Sequence, residues 1–69
     1  MTVQSVLFPI DMFTKTQAKK WLKDHGYKYS KIDETEYYYR FRQMEPNDIY
    51  RYRTFSLPNG VRFVIAYKY

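Results

Sequence analysis

Hydrophobic and polar residues alternate over several short segments of the chain, and this alternation predicts β-strands. The first of these segments is rich in β-branched and large apolar residues and ends at Pro9, which lacks the N–H donor that a strand ladder needs. Four strands are predicted in all, over residues 3–8, over residues 36–43, from residue 49 or 50 to residue 57, and over residues 61–67.

The segments between the predicted strands contain turn-forming residues. Pro58-Asn59-Gly60 predicts a tight hairpin, because asparagine and glycine tolerate positive φ, and residues 45–48 predict a second turn. Residues 27–36 are mostly polar and are interpreted as a loop with a short extended piece near residues 27–29. The third strand alternates irregularly, which suggests a β-bulge near Arg53–Thr54.

One amphipathic helix is predicted over residues 15–25. Thr14 and Gln17 form a capping-box pattern at its start, and Gly26 follows its last turn, where a residue in the left-handed conformation is expected. The helical period places Ala18, Trp21, Leu22 and His25 on one side and a lysine stripe of Lys15, Lys19, Lys20 and Lys23 on the other.

These elements, in the order β-α-β-β-β, predict a single α+β domain over residues 1–69. The expected architecture is a two-layer sandwich with one helix packed on a mostly antiparallel four-stranded sheet. The pattern does not decide where the first strand inserts. The helix is expected to meet Val61, Phe63, Ile65 and Tyr67 of the last strand. One short helix cannot cover both faces of the sheet, so one face should remain open or be covered by a partner.

Composition narrows the classes of function. The chain has a formal net charge of +5, 22% aromatic residues and no cysteine. The positive charge favours a polyanionic partner, although charge of this size also keeps small domains soluble. No apolar run approaches the ~18 residues of a membrane span, so no membrane association is expected.

The sequence contains no recognisable catalytic machinery. It has a single histidine, His25, no phosphate-binding glycine loop and no nucleophile motif, so we expect neither an enzyme nor a metal site nor a cofactor. Three acidic residues cluster before the second strand, where they could bind a cation, although solvation of a loop is the expected role: Asp33, Glu34 and Glu36.

Two surfaces are candidates for binding. The open sheet face is predicted to carry Tyr38, Arg40, Arg42, Arg62 and Arg51 or Arg53, a combination that can stack on bases and contact phosphates of single-stranded nucleic acid. The lysine stripe could follow a phosphate backbone. Tyrosine and arginine are also common on solvated sheet faces and in protein interfaces, and composition does not separate these alternatives.

The segments AKKWLKDHG at residues 18–26, DETEYYYRFRQ at 33–43 and GVRFVI at 60–65 resemble a small module that recurs in tailed-bacteriophage and mobile-element proteins. The resemblance covers most of the chain from Phe13 to Tyr67. It implies a viral origin and a place in the virion or in the cytoplasm of the host cell, and it implies no catalytic residue.

The leading hypothesis from the sequence is therefore a small basic viral-type module that binds nucleic acid, DNA or RNA, through the Tyr/Arg sheet face and the lysine-striped helix. The alternative is a virion-assembly or host-protein interaction module that self-associates, for example as a homodimer.

Overall fold

A computed structural model of the chain describes residues 2–45, 47 and 49–68. It contains one helix and five strands: β1 (Thr2–Pro9), α1 (Lys15–Asp24), β2 (Ile32–Glu34), β3 (Tyr38–Arg42), β4 (Tyr50–Ser56) and β5 (Arg62–Lys68). The α+β arrangement predicted from the sequence is confirmed. Pro46 and Asp48, which belong to the predicted turn at 45–48, lie outside the described residues.

The five strands form one antiparallel sheet in the order β2-β3-β1-β5-β4. The sequence left the place of the first strand open, and β1 lies at the centre, between β3 and β5. The prediction of four strands was one too few, because β2 pairs with β3 inside the segment interpreted as a loop. Three residues are too short for an alternating pattern to stand out from a polar connection.

The β-bulge lies in β1 and not, as predicted, near Arg53–Thr54. The register between β1 and β5 shifts between Val3 and Ser5, which leaves Gln4 as the extra residue. The pairing of β4 with β5 runs without a shift from Tyr50 to Ser56. The irregular alternation in β4 therefore places arginines and a phenylalanine on the same side of a regular strand.

The local signals at both ends of α1 are confirmed. Gln17 N–H donates to Thr14 Oγ1 at 3.1 Å, and the Gln17 side-chain oxygen accepts from Thr14 N–H at 2.9 Å, which completes the capping box. The helix ends one residue earlier than predicted, with His25 as its C-cap, and Gly26 has a φ of 79°.

The core lies between α1 and the sheet. Phe8 of β1 is fully buried, and its ring makes edge-to-face contacts with Phe13, Trp21 and Phe41 at centroid distances of 5.3 to 5.6 Å. The fully buried apolar residues are Val6, Phe8, Ala18, Leu22, Phe41 and Val61. Large rings thus fill a core to which one short helix contributes only two fully buried side chains.

The predicted hairpin between β4 and β5 is present. Gly60 N–H donates to the Leu57 carbonyl at 3.0 Å, and Val61 N–H donates to the Asn59 side-chain oxygen at 3.1 Å. Gly60 alone of the turn residues has positive φ, at 92°. Among the described residues, no helix is long and apolar enough to cross a membrane.

Candidate nucleic-acid interface

The side of the sheet opposite α1 is the candidate interface and is called the open face. Residues paired across an antiparallel ladder point to the same side, and Leu7 pairs with Arg40 on β3 and with Arg62 on β5. Applied to every strand, the same rule gives the open face seven large polar side chains: Tyr38, Arg40, Arg42, Tyr50, Tyr52, Arg62 and Lys68.

Arg51 and Arg53 lie on the other side of the sheet, so their predicted place on the open face is wrong. Arg51 pairs with Tyr67 and Arg53 with Ile65, and both partners share the helix side with Phe63. A bulge near Arg53–Thr54 would have placed these arginines on the open face, but β4 contains no bulge. Arg53 Nε donates to the Tyr67 hydroxyl at 3.0 Å, and its guanidinium carbon lies 5.7 Å from the centroid of that ring.

Arg62 and Tyr38 form a cation–aromatic pair at one end of the open face. The Arg62 guanidinium carbon lies 5.2 Å from the Tyr38 ring centroid. The backbone of Tyr38 is fixed by Thr35, whose hydroxyl donates to the Tyr38 carbonyl at 3.0 Å and accepts from its N–H at 3.1 Å. The half-buried ring therefore supports an exposed guanidinium in a defined place.

Arg40 is held at the centre of the open face by a chain of buried polar groups. Its Nε donates to the Ser5 hydroxyl at 3.3 Å, the hydroxyl donates to Gln4 Oε1, and Gln4 Nε2 donates to the Met44 carbonyl at 3.0 Å. Gln4 and Ser5 are 2% and 0% exposed, so these hydrogen bonds are shielded from water. The bulge in β1 places both side chains on the open face, where they fix the base of the guanidinium.

Tyr52 lies beside Arg40. Together with Gln4 and Val64 they line a shallow hollow of about 130 Å³. Tyr52 is 39% exposed, and its hydroxyl is held by the backbone of Asn47. A planar ring fixed at its far end next to a cation gives this hollow the groups that stack on a base and contact a phosphate.

Arg42 is on the open face but is neutralised by acids. Its Nε lies 3.1 Å from Asp33 Oδ2, and its Nη1 lies 3.7 Å from Glu45 Oε2. Lys31 donates to Glu45 Oε1 at 3.2 Å; this hydrogen bond and its charge, with that of Arg42, lower the pKa of the Glu45 carboxyl. Arg42 is therefore less available to an anion than Arg40 or Arg62, which form no ion pair with any residue the structure describes.

The lysine stripe lies on α1, on the opposite side of the sheet from the open face. Lys15 is partly neutralised, because its ammonium lies 3.2 Å from Glu34 Oε1 and 5.8 Å from the centre of the Tyr39 ring. Lys19, Lys20 and Lys23 are exposed. The two predicted surfaces are thus separated by the thickness of the domain, and a short oligonucleotide cannot lie flat on both.

Asp33 and Glu34, interpreted from the sequence as loop residues, belong to β2 and pair with cations. His25 is exposed, its ring stacks on Trp21 at 3.8 Å, and its Nδ1 lies 2.7 Å from the Trp21 carbonyl oxygen. Across residues 2–45, 47 and 49–68, no cluster of three or more histidine or acidic side chains is placed to hold a metal ion.

Five residues of the interface were not predicted from the sequence as part of the binding surface: Gln4, Ser5, Tyr50, Tyr52 and Lys68. The adjacent polar pair Gln4-Ser5 inside an apolar strand was a usable signal, since two polar residues in succession break the alternation as a bulge does. Tyr52 lies between Arg51 and Arg53 in the strand and therefore points to the opposite face from them. The predicted bulge, which is absent from β4, led to the arginines being placed on the open face instead of Tyr52.

Comparison with protein-family models, with curated proteins and with solved structures found no match to this chain. The resemblance to a bacteriophage module therefore stays a prediction, and the functional argument rests on the geometry of the open face.

Proposed function

We propose that the protein binds single-stranded nucleic acid on the open face, with Arg40 and Tyr52 lining the hollow and Arg62 and Tyr38 at one end of the face. The observation that carries the proposal is the hollow in which a fixed tyrosine ring lies beside an arginine that is hydrogen-bonded at its base. Stacking on such rings is tolerant of sequence, because every base has a π-face.

The proposal specifies a single strand because the side chains of the open face offer ring faces and guanidinium planes on an open sheet. The bases of a duplex are stacked on each other and cannot stack on a protein ring without being unpaired. Arg40, Arg62 and Lys68 supply positive charge for the phosphates, and Asp33, which lies on the same face, is paired with Arg42.

The lysine stripe has a secondary role in this proposal. Lys19, Lys20 and Lys23 add to the positive potential around the domain and increase the rate of encounter with a polyanion, without contacting the bound strand. If the predicted kinship with bacteriophage modules is correct, the nucleic acid would be viral or that of the host, met in the host cytoplasm or in the virion.

The test is a titration of a labelled pyrimidine oligonucleotide, followed by fluorescence anisotropy, at ~50 mM and ~200 mM salt. With two to three phosphates contacted, affinity for a single strand should fall about 7- to 20-fold between these conditions. A duplex of the same length should bind more weakly. Absence of binding at ~50 mM salt would contradict the proposal.

Two double variants with the same change in net charge identify the surface. Arg40→Gln with Arg62→Gln removes the cations of the open face, and Lys19→Gln with Lys23→Gln removes two lysines of the stripe. The first variant should lose at least about tenfold in affinity and the second less than about threefold. Equal losses of affinity would show that binding depends on net charge alone. A larger loss for the lysine variant would show that the binding site lies on α1.

A further inference from the structure

The strand β4 forms one edge of the sheet, and its outer side has no partner strand among the residues the structure describes. Every residue of β4 after Tyr50 is exposed, including Phe55, whose side chain is 51% exposed. The strand has seven residues, contains no proline and pairs with β5 without a bulge. It therefore lacks three of the features with which edge strands usually prevent pairing with another chain.

The hairpin fixes which backbone groups of β4 point outward. Leu57 N–H donates to the Val61 carbonyl at 2.7 Å, so this pair is hydrogen-bonded. Hydrogen-bonded and non-hydrogen-bonded pairs alternate along an antiparallel ladder. Counting back along the register places Ser56, Thr54 and Tyr52 in non-hydrogen-bonded pairs with β5. Their N–H and C=O groups therefore point away from β5, toward solvent.

The arginines on β4 limit how a second copy of the strand can pair with the first. In a two-fold antiparallel pairing centred on Tyr52, Arg51 would face Arg53 of the other copy. Centred on Arg53, the two Arg53 side chains would face each other. Like charges directly opposite each other destabilise a sheet, so both registers are disfavoured.

A pairing centred on Thr54 avoids this repulsion. It places Arg53 of each copy opposite Phe55 of the other, in a non-hydrogen-bonded pair where side chains approach most closely. Arg53 already lies over Tyr67 of its own chain, so Phe55 of the second copy would cover its other side. A centre on Phe55 would leave only residues 54–56 of the two strands paired, against residues 52–56 for the centre on Thr54.

We propose that two copies of this chain pair through β4 in antiparallel orientation, with Thr54 opposite Thr54, to form one continuous ten-stranded sheet. About six hydrogen bonds would join the copies, from the outward groups of Tyr52, Thr54 and Ser56. The two-fold axis is perpendicular to the sheet, so both open faces lie on the same side. The pairing does not depend on the proposed binding of nucleic acid.

Cysteine cross-linking tests the register directly, because the chain has no cysteine of its own. In the proposed dimer the two Thr54 Cα atoms are about 5.5 Å apart, within the range that a disulfide spans. The two Ser56 Cα atoms are about 14 Å apart, which is out of range. Under mild oxidation Thr54→Cys should therefore form disulfide dimers at least about fivefold faster than Ser56→Cys.

Sedimentation velocity of the unmodified chain from ~10 µM to ~1 mM tests the dimer itself. Thr54→Pro removes an outward N–H without breaking a bond to β5, and it should weaken dimerisation at least about tenfold, whereas Thr54→Ala should change it less than about threefold. A monomer throughout the concentration range, equal cross-linking of the two cysteine variants, or unchanged dimerisation of a folded Thr54→Pro would each overturn the proposal.

Discussion

The Tyr52 hydroxyl accepts a hydrogen bond from the Asn47 N–H at 2.8 Å and donates one to the Asn47 carbonyl at 3.1 Å. Both partners belong to one residue of the segment that leads into β4. The two bonds fix the far end of the ring, and so they limit the rotation of an exposed side chain. A stacking surface that is already ordered loses little conformational entropy when a base binds.

Removing the Tyr52 ring should therefore weaken binding of single-stranded oligonucleotide. We expect Tyr52→Ala to lose about 5- to 150-fold in affinity, the range given by about 1–3 kcal/mol per stacked base. Tyr52→Phe, which keeps the ring and loses its anchors, should lose less. Fluorescence anisotropy at low salt measures both.

Tyr29 provides the matched control, because it is 43% exposed and lies outside the sheet. Tyr29→Ala should change affinity by less than about twofold. A loss for Tyr29→Ala equal to that for Tyr52→Ala would mean that the rings act through general hydrophobicity and not through the hollow on the open face.

Phe8 should be among the most sensitive positions for stability, since its fully buried ring contacts three other aromatic rings. We expect Phe8→Ala to lower the free energy of unfolding by about 3–5 kcal/mol, a large share of the total for a domain of this size. Urea denaturation followed by circular dichroism measures the loss. Met12→Ala, at a side chain that is 58% exposed, should stay within about 0.5 kcal/mol of the parent, and a similar loss at both positions would contradict the assigned core.

The sequence predicted most reliably where one local interaction decides the structure. The capping box at Thr14 and Gln17, the left-handed Gly26 and the hairpin at Gly60 follow from backbone chemistry within a few residues. The same holds for the alternation in β3, which correctly placed Tyr38, Arg40 and Arg42 on one face.

The missed features depend on contacts between distant residues. β2 is a strand because Ile32, Asp33 and Glu34 find partners on β3, and three residues carry no pattern of their own. The central place of β1 and the bulge at Gln4 depend on the pairing with β5 and on the Met44 carbonyl, 40 residues away. The assignment of Arg51 and Arg53 failed for the same reason, since only the register with β5 decides which face they occupy.

The pKa of Glu45 provides a test of the charge cluster beside the open face. Replacing Lys31 by Met removes the hydrogen bond and the charge that lower this pKa, so the value should rise toward that of an ordinary glutamate. Because the folded-state pKa is lowered, the cluster stabilises the fold above the ordinary pKa of glutamate and loses this contribution as pH falls through the lowered value. Titration of the Glu45 carboxyl by NMR measures the change, and an unchanged pKa in Lys31→Met would exclude Lys31 as its cause.

Gly60 has a positive φ and also lies close to the Met12 side chain, and the energetic effects of these two features can be measured separately. Its φ of 92° is in the left-handed region, and a Cβ added there would lie 2.9 Å from Met12 Sδ. Gly26 has a φ of 79°, and an added Cβ would have no neighbour within 4 Å among the described residues beyond the adjoining chain. We expect Gly26→Ala to destabilise by about 1–2 kcal/mol through backbone strain alone, and Gly60→Ala by somewhat more.

Met12→Ala removes the close contact with a Cβ added at residue 60 and leaves the backbone strain there unchanged. A double-mutant cycle of Met12→Ala and Gly60→Ala therefore measures how much of the extra cost of Gly60→Ala comes from that contact. In the Met12→Ala background, Gly60→Ala should become no more destabilising than Gly26→Ala in the parent, as measured by urea denaturation. The exposed methionine can move aside, so the coupling should be small, about 0.5 kcal/mol. A coupling energy above about 2 kcal/mol would mean that Met12 is held rigidly against the turn. If Gly60→Ala were as destabilising in the Met12→Ala background as in the parent, backbone strain at Gly60 would account for the whole cost of the substitution.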